Sequence, residues 1–286
     1  MYTISENSPA LWFDRYPWPP IDGHKYTHGH VLVLGGGTMT GASRLAATSA
    51  LRMGAGLVTL AAPRAAWPIY AAALTSVIAV PYGTPREFCA LLDDERINTV
   101  VIGPGAGVGK ATRDLAVAVL AKKRATVIDA DALTSFGTHP QQLFDALNNR
   151  CVLTPHEGEF ARIFETSGNR YERTAAAARL SNAVVILKGP ETVIAAPDGR
   201  MATNRHAPPY LATGGTGDVL AGMIAGLMAQ GMDAFDAACA ATWLHGDTAA
   251  YCGLGLIAED LPTALPATLE RLSALKGQTS RPPQAP

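Results

Sequence analysis

The residues best suited to chemistry are Leu211-Ala212-Thr213-Gly214-Gly215-Thr216-Gly217-Asp218, which run into the apolar Val219-Leu220-Ala221-Gly222. Gly214, Gly215 and Gly217 let the backbone turn tightly and approach a ligand with no Cβ in the way. A helix starting here would present free N–H groups and the positive end of its dipole, so a phosphate is a natural guest. Asp218 sits at the same helix start. A carboxylate repels phosphate, but it is a good candidate base for a substrate hydroxyl. The plainer explanation is an ordinary helix N-terminus with a dipole-friendly acid in its first turn. The tight clustering of glycines, threonine and acid favours a site.

Other segments could serve such a site. Gly103-Pro104-Gly105-Ala106-Gly107 follows the apolar run 99–102, at the carboxyl end of an expected strand, where open α/β sheets bind ligands. Gly35-Gly36-Gly37 follows the run 31–34, with Gly41-Ala42 opening the next helix. It lacks the G-x-G-x-x-G spacing and has no acid closing the second strand, so it is either a dinucleotide-like loop or a tight βα turn. Asp129-Ala130-Asp131 could hold Mg²⁺ through water or cap the next helix. Thr154-Pro155-His156-Glu157 has the form of a capping box with Pro at the first helical position. That form leaves His156 unexplained, and His156 and Glu159 would share the ligand-facing sheet edge. Lys188-Gly189-Pro190-Glu191-Thr192 puts a lysine beside a glycine turn, where it can neutralise phosphate as a point charge or sit on the surface of a hairpin. His245-Gly246-Asp247 reads as packing or capping, and the roles of His24, Lys25 and His28 stay open.

The elements that must position these residues follow from periodicity. Apolar runs at 31–34, 57–61, 77–80, 99–102, 125–128 and 151–153 alternate with helical patterns such as 42–53 and 65–74. Such alternation implies βαβ units and a mainly parallel sheet with helices on both faces. The fully apolar runs agree, because strands covered on both faces lose polar alternation. Runs 184–187, 193–196 and 201–204 lie close together, and Pro197-Asp198-Gly199 turns between the last two, so an antiparallel edge hairpin is expected. The end reads as helices 218–230, 233–251 and 258–275. Residues 1–28 read as an irregular arm that Trp12, Phe13, Tyr16 and Trp18 could pin to the body or to a neighbouring subunit. Residues 29–276 read as a single domain, and 277–286 as a disordered tail.

Composition narrows the function classes. With 286 residues the chain can bury a large core, and its 16% charged residues fall below the usual ~25%. A net charge of −1 argues against a nucleic-acid binder, which needs a basic face. Cys89, Cys151, Cys239 and Cys252 show no C-x-x-C spacing, so free thiols in a reducing cytoplasm are expected. The proline-rich start is not a signal peptide, and no run is long and apolar enough for a transmembrane helix.

Taken in order, His24-Lys25, Gly35-Gly36-Gly37 with Gly41-Ala42, Arg52-Met53-Gly54-Ala55-Gly56-Leu57-Val58, Gly103-Pro104-Gly105, Asp129-Ala130-Asp131-Ala132-Leu133, Thr154-Pro155-His156-Glu157-Gly158-Glu159, Leu187-Lys188-Gly189 and Ala212 through Asp218 make a distinctive set. It resembles the ADP/ATP-dependent NAD(P)H-hydrate dehydratases, which are ribokinase-like, over residues 24–275. The glycine turn is shared more loosely by many ribokinase-like kinases; its combination with Thr-Pro-His-x-Gly-Glu is more specific. The resemblance implies a three-layer α/β/α fold. It implies contacts to the damaged dinucleotide from Ala42, Gly105, His156 and Asp218. It implies adenine-nucleotide contacts from Lys188, Gly189, Pro190, Glu191, Thr192 and Gly217, with Gly215 and Thr216 completing the phosphate-facing turn. Mg²⁺ is implied by the activity, with Glu159 a candidate for a water-mediated contact. A homo-oligomer, by family habit a tetramer, is expected. Some relatives carry an N-terminal epimerase domain, and the residues before the first expected strand are too few for one. The segments Tyr26-Thr27-His28 and Arg205-His206-Ala207-Pro208-Pro209-Tyr210 depart from the family pattern.

The implied reaction is dehydration of the S-form of hydrated NADH or NADPH. Asp218 would accept the hydroxyl proton while ADP or ATP phosphorylates the oxygen, and phosphate would then leave. A small-molecule kinase acting on a vitamin alcohol, or a non-catalytic dinucleotide-binding module, would use the same turn differently.

Overall fold

The computed structural model describes residues 3–20 and 22–279. The chain opens with β1 (Ile4–Glu6) and α1 (Pro9–Trp12). Alternation then follows: β2 (His30–Leu34), α2 (Thr40–Arg52), β3 (Leu57–Pro63), α3 (Trp67–Ala73), β4 (Ile78–Tyr82), α4 (Pro85–Leu91), β5 (Thr99–Ile102) and α5 (Lys110–Ala121). Next come β6 (Ala125–Ile128), α6 (Ala130–Ser135), α7 (Pro140–Ala146), β7 (Cys151–Leu153), α8 (Glu157–Ile163), α9 (Arg170–Ser181) and β8 (Val184–Leu187). The hairpin β9 (Thr192–Ala195) and β10 (Met201–Asn204) leads to α10 (Thr216–Ala229), α11 (Ala234–Cys252) and α12 (Asp260–Thr279).

The strands form one sheet in the order β1-β10-β9-β8-β7-β6-β5-β2-β3-β4. Among the described strands only β9 runs against the rest, pairing antiparallel with both β8 and β10. Every residue of β2, β5, β6, β7 and β8 is buried, as expected for strands covered on both faces. One core layer packs the sheet against α2, α10 and α11; the other packs it against α4 through α9. This is the expected three-layer α/β/α architecture, with the hairpin at one end of the sheet.

Two expectations change. Residues 1–28 are not irregular throughout: β1 pairs in parallel outside β10 and becomes the edge strand. Asn7 locks it, donating to Asn204 Oδ1 and Cys239 O at 2.8 Å each. Trp12 is wholly buried beside Trp243, so the aromatic cluster pins the segment to the body. A three-residue Ile-Ser-Glu strand has no apolar run to betray it. Helix α12 also continues through Thr279, into the segment expected to be disordered; residues 280–286 lie outside the described ones. Among the described residues no helix is long and apolar enough to cross a membrane.

Chain order reverses between β5 and β2, which are adjacent in the sheet but not in sequence. Such a switch point opens a crevice at the carboxyl ends of the strands. The loops after β2 and β5 meet there: Ala42 Cβ lies 3.2 Å from where a Cβ on Gly105 would fall.

Candidate active site

Helix α10 shows where the open ground is. Every one of its residues is buried except Gly217 and Asp218. The N-cap is Gly215 at φ +93°, a left-handed conformation that disfavours any residue with a side chain. No side chain caps this helix, so its first N–H groups face outward. The Thr216 hydroxyl turns back to Leu211 O and Thr213 O at 3.1 and 3.0 Å. Thr216 can therefore offer a ligand its main-chain N–H but not its hydroxyl.

Lys188 arrives from the end of β8. Its Nζ donates to Asp129 Oδ1 at 3.0 Å and lies 3.3 Å from where a Cβ on Gly217 would be. The ammonium is thus held over the start of α10. Burial works against its charge, but Asp129, Glu159 and Asp218 hold its pKa above the ordinary lysine value. Asp218 shares the same space. Burial, reinforced by the negative charges of Asp129, Asp131 and Glu159 and opposed by Lys188, pushes its carboxyl up to about 7. A carboxylate at that value can take a proton near neutral pH.

Asp129 is the organising residue that the sequence left ambiguous. Its side chain makes no cap bond to α6, which removes the capping reading. It is buried and accepts from Thr154 Oγ1 at 2.7 Å as well as from Lys188. Ala130 beside it sits at φ +46°, a strained conformation for alanine held by the flanking strand and helix. Asp131 accepts from Gly107 N–H at 2.8 Å and so pins the glycine loop after β5.

The capping box belongs to His156, not Thr154. Pro155 O accepts from Lys188 N–H at 2.9 Å, so the chain stays extended one step past β7 and the helix begins later. His156 Nδ1 accepts from the N–H groups of Gly158 and Glu159, at 3.0 and 3.2 Å. Glu159 Oε2 accepts from His156 N–H at 2.9 Å. With Nδ1 accepting, a neutral ring carries its proton on Nε2, and the side chain is 57% exposed. His156 therefore shapes the helix start, with its exposed Nε2 3.5 Å from Glu159 Oε1, while its main chain bridges to Lys188.

Ala42, Gly105, His156, Lys188, Gly215, Gly217 and Asp218 thus come from loops and helix starts at one edge of the sheet. Glu191 lies just before β9 at that edge, with its carboxyl already engaged. It accepts from Tyr171 Oη at 2.5 Å and Thr203 Oγ1 at 3.1 Å and pairs with Arg205. Thr192 closes its own turn on Gly189 O at 3.1 Å, with Pro190 exposed between them. His24, Lys25 and His28 lie at the opposite edge, where His28 O accepts from Gly56 N–H ahead of β3. His245 is a buried packing residue whose burial lowers its pKa to about 4, and Asp247 pairs with Arg271. Among the described residues, no group of three or more His, Cys, Asp or Glu side chains could hold a metal by itself.

The family described as NAD(P)H-hydrate dehydratase matches residues 31–271, which span every loop of this edge. The chain belongs to that family. A protein of Moorella thermoacetica named bifunctional NAD(P)H-hydrate repair enzyme is 40% identical over 253 residues, covering 83% of this chain and 48% of its own length. The chain spans about half the length of the first such relatives. The ADP-dependent (S)-NAD(P)H-hydrate dehydratase of Neisseria meningitidis serogroup B is 35% identical, covering 85% of this chain and 86% of that one. Among solved structures, the ADP/ATP-dependent NAD(P)H-hydrate dehydratase of Bacillus subtilis, co-crystallized with ATP/Mg²⁺, superposes with a TM-score of 0.81. It is 27% identical and covers 94% of this chain and 99% of that chain.

Proposed function

We propose that this chain dehydrates the S-form of hydrated NADH or NADPH, using ADP or ATP to phosphorylate the hydroxyl and then eliminating phosphate. The observation that carries the reading is the pairing of Asp218 with the open start of α10 under Lys188. One end of that space suits an anion and the other a proton acceptor. Names of relatives on both sides of the comparison support the same substrate and donor.

The steps follow from the residues. Asp218 takes the proton of the ring hydroxyl as its oxygen attacks the terminal phosphoryl group, and the remaining nucleotide leaves. The N–H groups of 215–217 and the Lys188 ammonium meet charge on the phosphoryl oxygens. The ring nitrogen lone pair then expels phosphate, and a proton leaves the neighbouring ring carbon, restoring the dihydronicotinamide. Ala42 and Gly105 at the switch point, with His156, would hold the dinucleotide.

Magnesium would enter with the nucleotide and neutralise phosphate charge. Glu159 would meet it through water. Cytoplasmic location and a homo-oligomer remain part of the proposal, supported by four cysteines outside any disulfide and by the charge-poor composition.

The test supplies hydrated cofactor with ADP and, separately, with ATP, and follows phosphate and the absorbance of reduced nicotinamide together. Equal yields of both support the dehydratase. A stable phosphorylated product without reduced nicotinamide would make the protein a kinase instead.

A further inference from the structure

We infer that Arg170, the first residue of α9, is a positioning residue that sets the Lys188–Gly189 main chain and thereby aims Lys188; this rests on the reading of residues 188–192 as nucleotide-binding. A cation at a helix N-terminus opposes the helix dipole. The helix does not need it as a cap, since Asn169 and Glu172 already form a complete capping box.

Arg170 is occupied elsewhere. Its Nη2 donates to Leu187 O at 2.9 Å and Lys188 O at 2.7 Å, and its Nη1 to Glu157 Oε2 at 3.0 Å. A Cβ on Gly189 would come within 2.6 Å of Nη2, so the loop is seated directly on the guanidinium. The planar fork reaches two carbonyls and a carboxylate at once; an ammonium has neither the span nor the geometry. Glu157 opens α8, the helix capped by His156. One side chain therefore ties the nucleotide loop to α8, while Glu157 keeps Arg173 as a second partner, so replacing Arg170 frees the loop and leaves the His156 helix start held. Arg173 pairs with the same Glu157 but makes no bond to the loop, which supplies an internal control.

Lys188 depends on this seat. Its Nζ holds Asp129 and stands over Gly217, while its main chain is held by Pro155 O on one side and Arg170 on the other. Releasing the two carbonyls leaves the loop free to shift by a fraction of an ångström, and displacements of that size are costly where phosphate must be met.

The test compares Arg170→Met, Arg170→Lys and Arg173→Met with the parent. ADP affinity is read by calorimetry without substrate, and KM for each substrate by phosphate release. Both Arg170 variants are expected to weaken ADP binding and raise nucleotide KM by about 10- to 100-fold. KM for the hydrated cofactor and all values for Arg173→Met should stay within about twofold. Failure of Arg170→Lys to rescue distinguishes the fork from mere charge. Parent-like ADP affinity in Arg170→Met overturns the inference, as does a loss shared equally by both substrates. If the Arg170 variants do not fold, Gly189→Ala reads the same seat with Arg170 present, and an unchanged nucleotide KM there overturns it. If the parent neither binds ADP nor releases phosphate, the nucleotide reading has failed and takes this inference with it.

Discussion

Lys188 Nζ and Asp129 Oδ1 stand 3.0 Å apart and tie the end of β8 to the end of β6 across β7. The Asp129 side chain is only 2% exposed. Lys188→Met would leave that carboxylate buried with Thr154 as its remaining partner. Breaking one side of a buried pair costs about 3–5 kcal/mol. Urea denaturation should show a loss of that order for Lys188→Met and a partial recovery in the Lys188→Met/Asp129→Asn double variant. A loss below about 1 kcal/mol would show that the pair is not coupled in solution.

Activity should depend on pH through Asp218. Burial and acidic neighbours raise its carboxyl to about 7, and a base works only when ionised. As pH falls through about 7, kcat/KM is expected to drop towards tenfold per unit. Asp129→Asn removes a negative neighbour and should move that limb to lower pH. A profile flat down to about pH 5 would remove Asp218 as the base.

Stability should move the opposite way. The folded-state value of Asp218 lies above its unfolded value, so stability is full below the unfolded value and is lost as pH rises through about 7. Its charge therefore costs the fold at most about 4 kcal/mol at alkaline pH. Asp218→Asn should raise Tm, with a gain that grows between about pH 4 and 7 and then levels off. An equal or lower Tm at about pH 8 would contradict the burial assigned to this carboxyl.

Trp12 tests the status of the N-terminal segment. It is wholly buried and donates to Asn7 Oδ1 at 3.2 Å. Trp12→Ala should cost about 3–5 kcal/mol in denaturant. A cost under about 1 kcal/mol would return the segment to the status of an arm.

How much of this could be read in the sequence differs by kind of residue. The strands at 31–34, 151–153 and 184–187 were legible because burial on both faces leaves nothing polar in them, 99–102 and 125–128 carry one threonine each, and 201–204, with Thr203 and Asn204, was legible from the Pro197-Asp198-Gly199 turn before it. The glycine turn and Asp218 were legible because their types and spacing have few other uses. Asp129 was half legible: its position after a strand was plain, but its partners Thr154 and Lys188 lie 25 and 59 residues away and only the fold unites them. The cap at α8 was misplaced by two residues because pairing of Pro155 with Lys188 extends the strand, a tertiary effect with no local mark. Arg170 was missed altogether, since an arginine after Asn169 reads as a solvated helix start until its two carbonyl partners are seen.

The most direct measurement of the central claim is phosphate release and nicotinamide recovery by Asp218→Asn with hydrated cofactor and ADP or ATP. Turnover should fall by about 10² to 10⁴ or more while nucleotide affinity stays near that of the parent. Turnover at the parental rate would contradict the placement of the base beside the phosphoryl pocket and the mechanism built on it.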